Sequence, residues 1–308
     1  MKGYIGSVRF FKNLILLLVI IFITVPSVFA FVYQGKTRSM KDELEQYRTT
    51  TQQQITDLEK KIGELEEELK TPHVDPDGPA YQQLYPDFYA PQPLQAETKE
   101  SGVIYLTFDD GPSERTPEVL KVLREENVKA TFFVIGRSSE QEKQWMRDIV
   151  NEGHTIAMHT YSHNYNKVYA SVEDYLADMY KVFTLIKEAT GVTPTVFRFP
   201  GGSINGYNYE ISQDVISEMM RRGFVPYDWN ISSGDASSGG LTPSDRIINN
   251  VINGAGGISR GVVLMHDAAP KTTTVAALPT MIRMLREMGF RFDCLHPETA
   301  PVLFGYAY

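Results

Sequence analysis

Residues 14–33, LILLLVIIFITVPSVFAFVY, are apolar and uncharged, and the start before them carries Lys2, Arg9 and Lys12 but no acid. As a helix this run rises about 30 Å, the thickness of a bilayer core. Basic residues on the short N-terminal side place residues 1–13 in the cytoplasm and the remainder outside, with the chain held as a single-pass membrane protein. The alternative is a signal peptide cleaved near Ala30, which also exports the remainder. Polar residues then take over. Between 38 and 70, apolar or semi-apolar positions fall at Met40, Leu44, Tyr47, Thr51, Ile55, Leu58, Ile62, Leu65 and Leu69. Steps of three and four predict a coiled-coil stalk and a homodimer through it. A solitary helix laced by i,i+4 charge pairs is the other reading. Residues 71–100 hold Pro72, Pro76, Pro79, Pro86, Pro91 and Pro93, which forbids a long helix. The aromatics in AYQQLYPDFYA nonetheless predict that this linker docks on the domain that follows.

From residue 101 to 308 the pattern alternates. Strands are predicted at 103–108, 130–135, 154–158, 195–199, 224–229, 261–264 and 290–292. Helices are predicted at 116–127, 139–152, 171–190, 208–222, 242–253 and 273–288, with Thr116 as the N-cap of the first. Regular alternation implies a parallel sheet, and a closed or nearly closed (β/α) barrel of about seven units is the economical α/β solution.

Composition narrows the chemistry. Lys and Arg number 30 against 38 for Asp and Glu, a formal net charge of −8, so nucleic acid is not the expected partner. Cys294 is the sole cysteine, which excludes an internal disulfide and a multi-cysteine zinc knuckle. A resident metal would need His, Asp and Glu. Barrel chemistry sits where strands end. Those ends carry Asp109 and Asp110 in TFDDGPS, His159 and His163 in HTYSH, Arg198 in FRFPGGS, Asp228 and Trp229 in PYDWN, and His266 in VLMHDAA. Two histidines four apart reach one metal from a helical turn or tight loop, and a carboxylate completes a three-ligand site with an open position. Alone, each motif is ambiguous: surface histidines and turn-forming aspartates share these spellings.

Taken in order, TFDDG, HTYSH, RFP, DW and LMH resemble the polysaccharide deacetylase family, the NodB-homology group or carbohydrate esterase family 4, over roughly residues 100–296. The resemblance implies a deformed (β/α) barrel that removes acetyl groups from N-acetylated sugars or from xylan. It assigns Asp109 as general base and Asp110, His159 and His163 as ligands of one divalent ion, zinc first, with cobalt, nickel or manganese as alternatives. Arg198 would hold Asp109, and His266 would be the general acid, paired with Asp228. Trp229, Leu264, Tyr161 and Pro200 would line the substrate pocket, and a backbone N–H within 161–164 would meet the oxyanion. With the anchor and stalk, the favoured glycan is peptidoglycan. Chitin oligomers, exopolysaccharide and acetylated xylan are alternatives, as is a non-catalytic glycan-binding scaffold.

One motif departs from the family pattern. Gly201 and Gly202 follow Pro200 where an aromatic is common, which removes a wall and predicts a wider cleft. Other residues read as bland: His154 as structural, Cys294 as an inert packer, His73 and His296 as solvated. The 230–240 loop, NISSGDASSGG, is either a substrate loop or a spacer.

Overall fold

The structure, a computed structural model, describes residues 8–70, 77–90, 100–236 and 240–305. The first seven residues of the expected cytoplasmic start, residues 71–76 (with His73) and 91–99 of the linker, and 237–239 of the 230–240 loop lie outside them. The chain divides into two units, Met1–Glu68 and Leu69–Tyr308.

In the first unit a single helix, α1 (Val8–Lys70), carries both the apolar run and the heptad segment. It contains a stretch long and apolar enough to cross a membrane. The polar side chains within it are satisfied locally: the Thr24 and Ser27 hydroxyls donate to the carbonyls of Ile20 and Ile23. Further along, Met40, Leu44, Tyr47, Ile55 and Leu58 are exposed.

The second unit is a curled parallel half-barrel. Its strands are β1 (Val103–Asp109), β2 (Thr131–Val134), β3 (Thr155–Met158), β4 (Val196–Phe197), β5 (Val225–Pro226), β6 (Ile231–Ser232), β7 (Arg260–His266) and β8 (Arg291–Asp293). They run in the order β5-β4-β3-β2-β1-β7-β6, with β8 paired to β1 off this path. Strand β1 is buried along its whole length, as a parallel strand covered on both faces must be. β7 pairs along all of β1 in register, Val103 with Arg260 through Asp109 with His266. β8 pairs with Val103–Tyr105 and β2 with Thr107–Asp109, so the two divide the other edge between them. The ends of β1 and β7 therefore bring Asp109 and His266 side by side. Just past β5 the chain meets the C-terminal segment, where the Val302 carbonyl accepts from the Asp228 N–H at 2.7 Å.

The crossover helices are α2 (Thr116–Glu125), α3 (Glu140–Asn151), α4 (Tyr165–Val168), α5 (Val172–Thr190), α6 (Ser212–Arg221), α7 (Ser244–Ala255) and α8 (Thr272–Glu287). Their ends follow local chemistry. Ser139 and Glu142 form a reciprocal capping box on α3. Ser171 caps α5, and Gly191 ends it at φ 75°, where a side chain would be strained. Thr116 is not the cap of α2. It lies inside the helix, and its hydroxyl donates to Asp267 Oδ2 at 2.5 Å, a buried partner on a distant strand end. The short β6 and the single-turn α4 lack any sequence periodicity because neither spans a full repeat.

Residues 77–90 pack on the barrel. Phe88 is fully buried and meets the rings of Phe183 at 4.9 Å and Phe224 at 4.8 Å. Arg222, also fully buried, pairs with Glu218 at 2.6 Å and donates to the carbonyls of Tyr81, Leu84 and Tyr85. A turn-rich segment leaves carbonyls unpaired, and one guanidinium collects them.

Candidate active site

Asp109 ends β1 with its side chain buried. Arg198, just past β4, is also fully buried and donates from Nη1 to Asp109 Oδ1 at 2.8 Å. The guanidinium is fixed by Thr107 Oγ1 at 2.7 Å and by the carbonyls of Tyr227 and Asp228, each at 2.9 Å. It lies over the Phe133 ring, 4.1 Å from its centroid. Burial raises the Asp109 carboxyl above the ordinary range, while Arg198 opposes this and favours the carboxylate.

Asp110, His159 and His163 offer ligand atoms within 4.8 Å of one another. Asp110 Oδ1 lies 3.2 Å from His163 Nε2 and 3.7 Å from His159 Nε2. Among the described residues this buried oxygen has no hydrogen-bond partner, an arrangement a cation would satisfy. His159 is poised as a ligand. Its Nδ1 sits 2.9 Å from the Arg198 carbonyl, to which it can only donate, so the lone pair is left on Nε2. Burial pushes the ring down to about 3, keeping it neutral. The HTYSH segment is a tight loop rather than a helical turn. Asp110, Thr160 and His163 all adopt positive φ, 71°, 70° and 50°, which is strained for residues with a Cβ and typical of functional sites. Asp178 on α5 holds that loop by accepting from the N–H groups of Tyr161 at 2.5 Å and Ser162 at 2.9 Å. Asn164 N–H is also engaged, with Ser162 Oγ at 3.3 Å. The oxyanion donor expected within 161–164 is therefore not one of these three.

The expected Asp228–His266 pair does not form. Asp228 is buried beside the C-terminal segment, where it accepts from the Ser203 hydroxyl, from Ser203 N–H at 2.8 Å and from Phe304 N–H at 2.7 Å. Asp235 takes its place. Its Oδ1 lies 2.8 Å from His266 Nδ1, and its Oδ2 accepts from His266 N–H at 2.8 Å and Thr274 Oγ1 at 2.9 Å. Burial by itself would lower His266, but the Asp235 hydrogen bond and charge, with Asp109 and Asp110 behind them, leave it raised. Asp235 is correspondingly lowered: burial opposes this, and His266 outweighs it. Sequence reading passed over Asp235 because it sits among serines and glycines, with no periodicity to mark it.

Nor is the wall after Pro200 missing. A Cβ on Gly201 would lie 3.0 Å from the Tyr165 ring, and one on Gly202 would collide with Phe304. Both glycines adopt positive φ, 75° and 88°. Rings from elsewhere in the chain occupy the space that an aromatic following Pro200 would take. Tyr165 packs edge-on to His163 at 5.5 Å and to Tyr207 at 5.1 Å. Phe304 meets Trp229 at 4.9 Å. Leu264 is half-buried on β7, in register with Thr107 of β1 and Ser232 of β6, and Pro200 accepts from the Tyr169 hydroxyl at 2.7 Å through its carbonyl. Tyr161 is half-buried, with its ring against Gly136.

Comparison with known proteins bears on the family and the fold. The polysaccharide deacetylase family model matches residues 96–219. A peptidoglycan-N-acetylglucosamine deacetylase of Bacillus cereus is 36% identical over 211 residues, covering 67% of this chain and 74% of that protein. A putative polysaccharide deacetylase of Bacillus subtilis is 34% identical over 203 residues, covering 65% of this chain and 69% of its own length. Among solved structures, the catalytic domain of a peptidoglycan N-acetylglucosamine deacetylase from Eubacterium rectale superposes with a TM-score of 0.64 at 34% identity, covering 68% of this chain and 96% of that one. The half-barrel, the strand-end motifs and these relatives together place the chain in the polysaccharide deacetylase family, carbohydrate esterase family 4, as a hydrolase acting on carbon–nitrogen bonds other than peptide bonds.

Proposed function

We propose that the chain is a membrane-tethered, zinc-dependent deacetylase that hydrolyses the N-acetyl groups of N-acetylglucosamine in peptidoglycan, releasing acetate. The observation that carries this reading is the convergence of three groups at one barrel mouth. These are the Arg198-held carboxylate of Asp109, the trio Asp110, His159 and His163, and the Asp235-held His266. A divalent ion held by that trio would supply Lewis acidity toward the acetyl carbonyl and toward water. Asp109, whose carboxylate form Arg198 favours, accepts the proton of the attacking water. The amide nitrogen is a poor leaving group until protonated, and His266 donates that proton. With Nδ1 turned to Asp235, Nε2 is the nitrogen left to donate it. Water and amide are consumed; acetate and a free amine result.

Trp229, Leu264, Tyr161 and Pro200 form the acetyl-facing surface in this reading, and the Tyr165–Tyr207 pair extends it as a platform for the sugar. Tyr207 is well exposed, and its loop is braced: Asn205 Oδ1 accepts from the Tyr207 N–H at 2.8 Å, and Asn205 Nδ2 donates to Pro200 and Gly202. The apolar run of α1 supplies the tether, with the catalytic unit outside the cell. The exposed seam from Met40 to Leu58 supplies a homodimer contact. Peptidoglycan is favoured because a tether holds the enzyme beside the wall, and because several relatives carry that substrate in their names. The test is appearance of free amines on purified glycan strands. Their absence there, with turnover of acetylated xylan or chitin oligomers, would move the substrate assignment and leave the chemistry in place.

A further inference from the structure

A second cluster of ligating side chains lies well down β1 from the catalytic mouth. It sits where β8 ends against Tyr105, four residues before Asp109. Asp293, Cys294 and His296 bring a carboxylate oxygen, a sulfur and an imidazole nitrogen within 4.8 Å of one another. Cys294 Sγ is 3.3 Å from His296 Nε2, and that nitrogen is 3.9 Å from Asp293 Oδ1. The corresponding separations in the trio at the catalytic mouth are 3.2 and 3.7 Å. Ligands of a tetrahedral zinc, bonded at about 2.0–2.3 Å, stand about 3.4–3.6 Å apart. Both clusters bracket that value.

The backbone that presents these atoms is fixed on several sides. Cys294 N–H donates to Asp293 Oδ1 at 2.8 Å, and Leu295 N–H to Thr131 Oγ1 at 2.8 Å. The His296 carbonyl accepts from the Tyr227 hydroxyl at 2.8 Å. The sulfur is buried while His296 and Asp293 reach solvent, so an ion has an entry path. Charges nearby are mixed. Arg291 lies 3.9 Å from Asp293 Oδ2 but is paired with Glu100 at 2.8 Å, and Glu298 adds a negative charge beside His296.

We propose that Asp293, Cys294 and His296 form a second cation site, distinct from the catalytic trio, for a divalent ion that accepts sulfur and nitrogen, with zinc as the physiological fit. Binding replaces the thiol proton by a metal–sulfur bond and releases that proton to solvent; no electron is transferred. The ion would pin the start of the C-terminal segment. The far end of that segment carries Val302 and Phe304 to Asp228 and Gly202 at the barrel mouth.

Cobalt titration of the full-length protein tests this directly. Cys294 is the only cysteine, so a near-ultraviolet thiolate-to-cobalt band can arise nowhere else. Two equivalents of cobalt are expected, one giving visible bands alone and one adding the near-ultraviolet band. Zinc should suppress both. Cys294→Ser and His296→Ala should each abolish the near-ultraviolet band and retain the visible absorption of the catalytic site. His296→Ala alters a half-exposed side chain, so the test survives a folding defect in the cysteine variant. Saturation with visible bands alone, or an undiminished near-ultraviolet band in His296→Ala, would overturn the site.

Discussion

At the scale of single residues, the site depends on which group holds which. Asp109 is oriented by one fully buried guanidinium, and His266 by one buried carboxylate. In the proposed mechanism Asp109→Asn keeps the shape and removes the base, so kcat for acetate release should fall by about 10²–10⁴-fold while the fold, read by circular dichroism, is unchanged. In the same proposed mechanism Asp235 sets the pH response through its hydrogen bond to His266. Because it raises His266 above the ordinary imidazole value, the proton needed for the leaving amine is retained above about pH 6.5. It is lost only as pH climbs through the raised value. Asp235→Asn should move the alkaline limb of the kcat profile to lower pH. A downward shift of one unit, about 1.4 kcal/mol, costs about tenfold in rate on that side. The same substitution at Asp228 should leave the limb where it is, since Asp228 faces Ser203 and Phe304 instead. Tyr207→Ala should raise KM for glycan oligomers several-fold with little change in kcat, measured on chains of increasing length.

At the scale of elements, the short segment 77–90 belongs to the barrel it precedes. Phe88 fills an aromatic pocket, and Arg222 ties the segment's carbonyls to Glu218. Removing one partner of a buried ion pair leaves the other uncompensated, so Arg222→Ala should cost about 3–5 kcal/mol in denaturant unfolding. A fragment beginning at residue 101 should melt well below one beginning at 71. Pattern reading recovered the long elements because burial imposes a period on them: α5 and β1 stand close to their expected bounds. It failed where length or chemistry gave no period. β6 has two residues, and the cap expected of Thr116 gave way to a tertiary partner, Asp267, that no local pattern reveals. Asp235 was missed and the Gly201–Gly202 gap misread for the same reason. The decisive contacts, to His266, Tyr165 and Phe304, come from residues distant in sequence. That Asp110, His159 and His163 come together was readable because they lie in short motifs with fixed spacing.

At the scale of the whole molecule, one chain joins an apolar helix, a polar continuation with an exposed seam, and a hydrolase barrel. In the proposed reading the helix sets location and the seam sets stoichiometry. Residues 34–70 alone should then sediment as a dimer, and replacing Leu44 and Leu58 with lysine should give a monomer. The activity proposed for the whole chain is metal-dependent deacetylation of an N-acetylglucosamine polymer by Asp109 and His266. Its most direct test is acetate release from solubilised peptidoglycan by the purified full-length chain in detergent, with and without chelator, beside Asp109→Asn. Acetate should vanish with chelator, return with zinc and be nearly absent in the variant. Acetate release undiminished by chelator or by loss of the Asp109 carboxylate would contradict it.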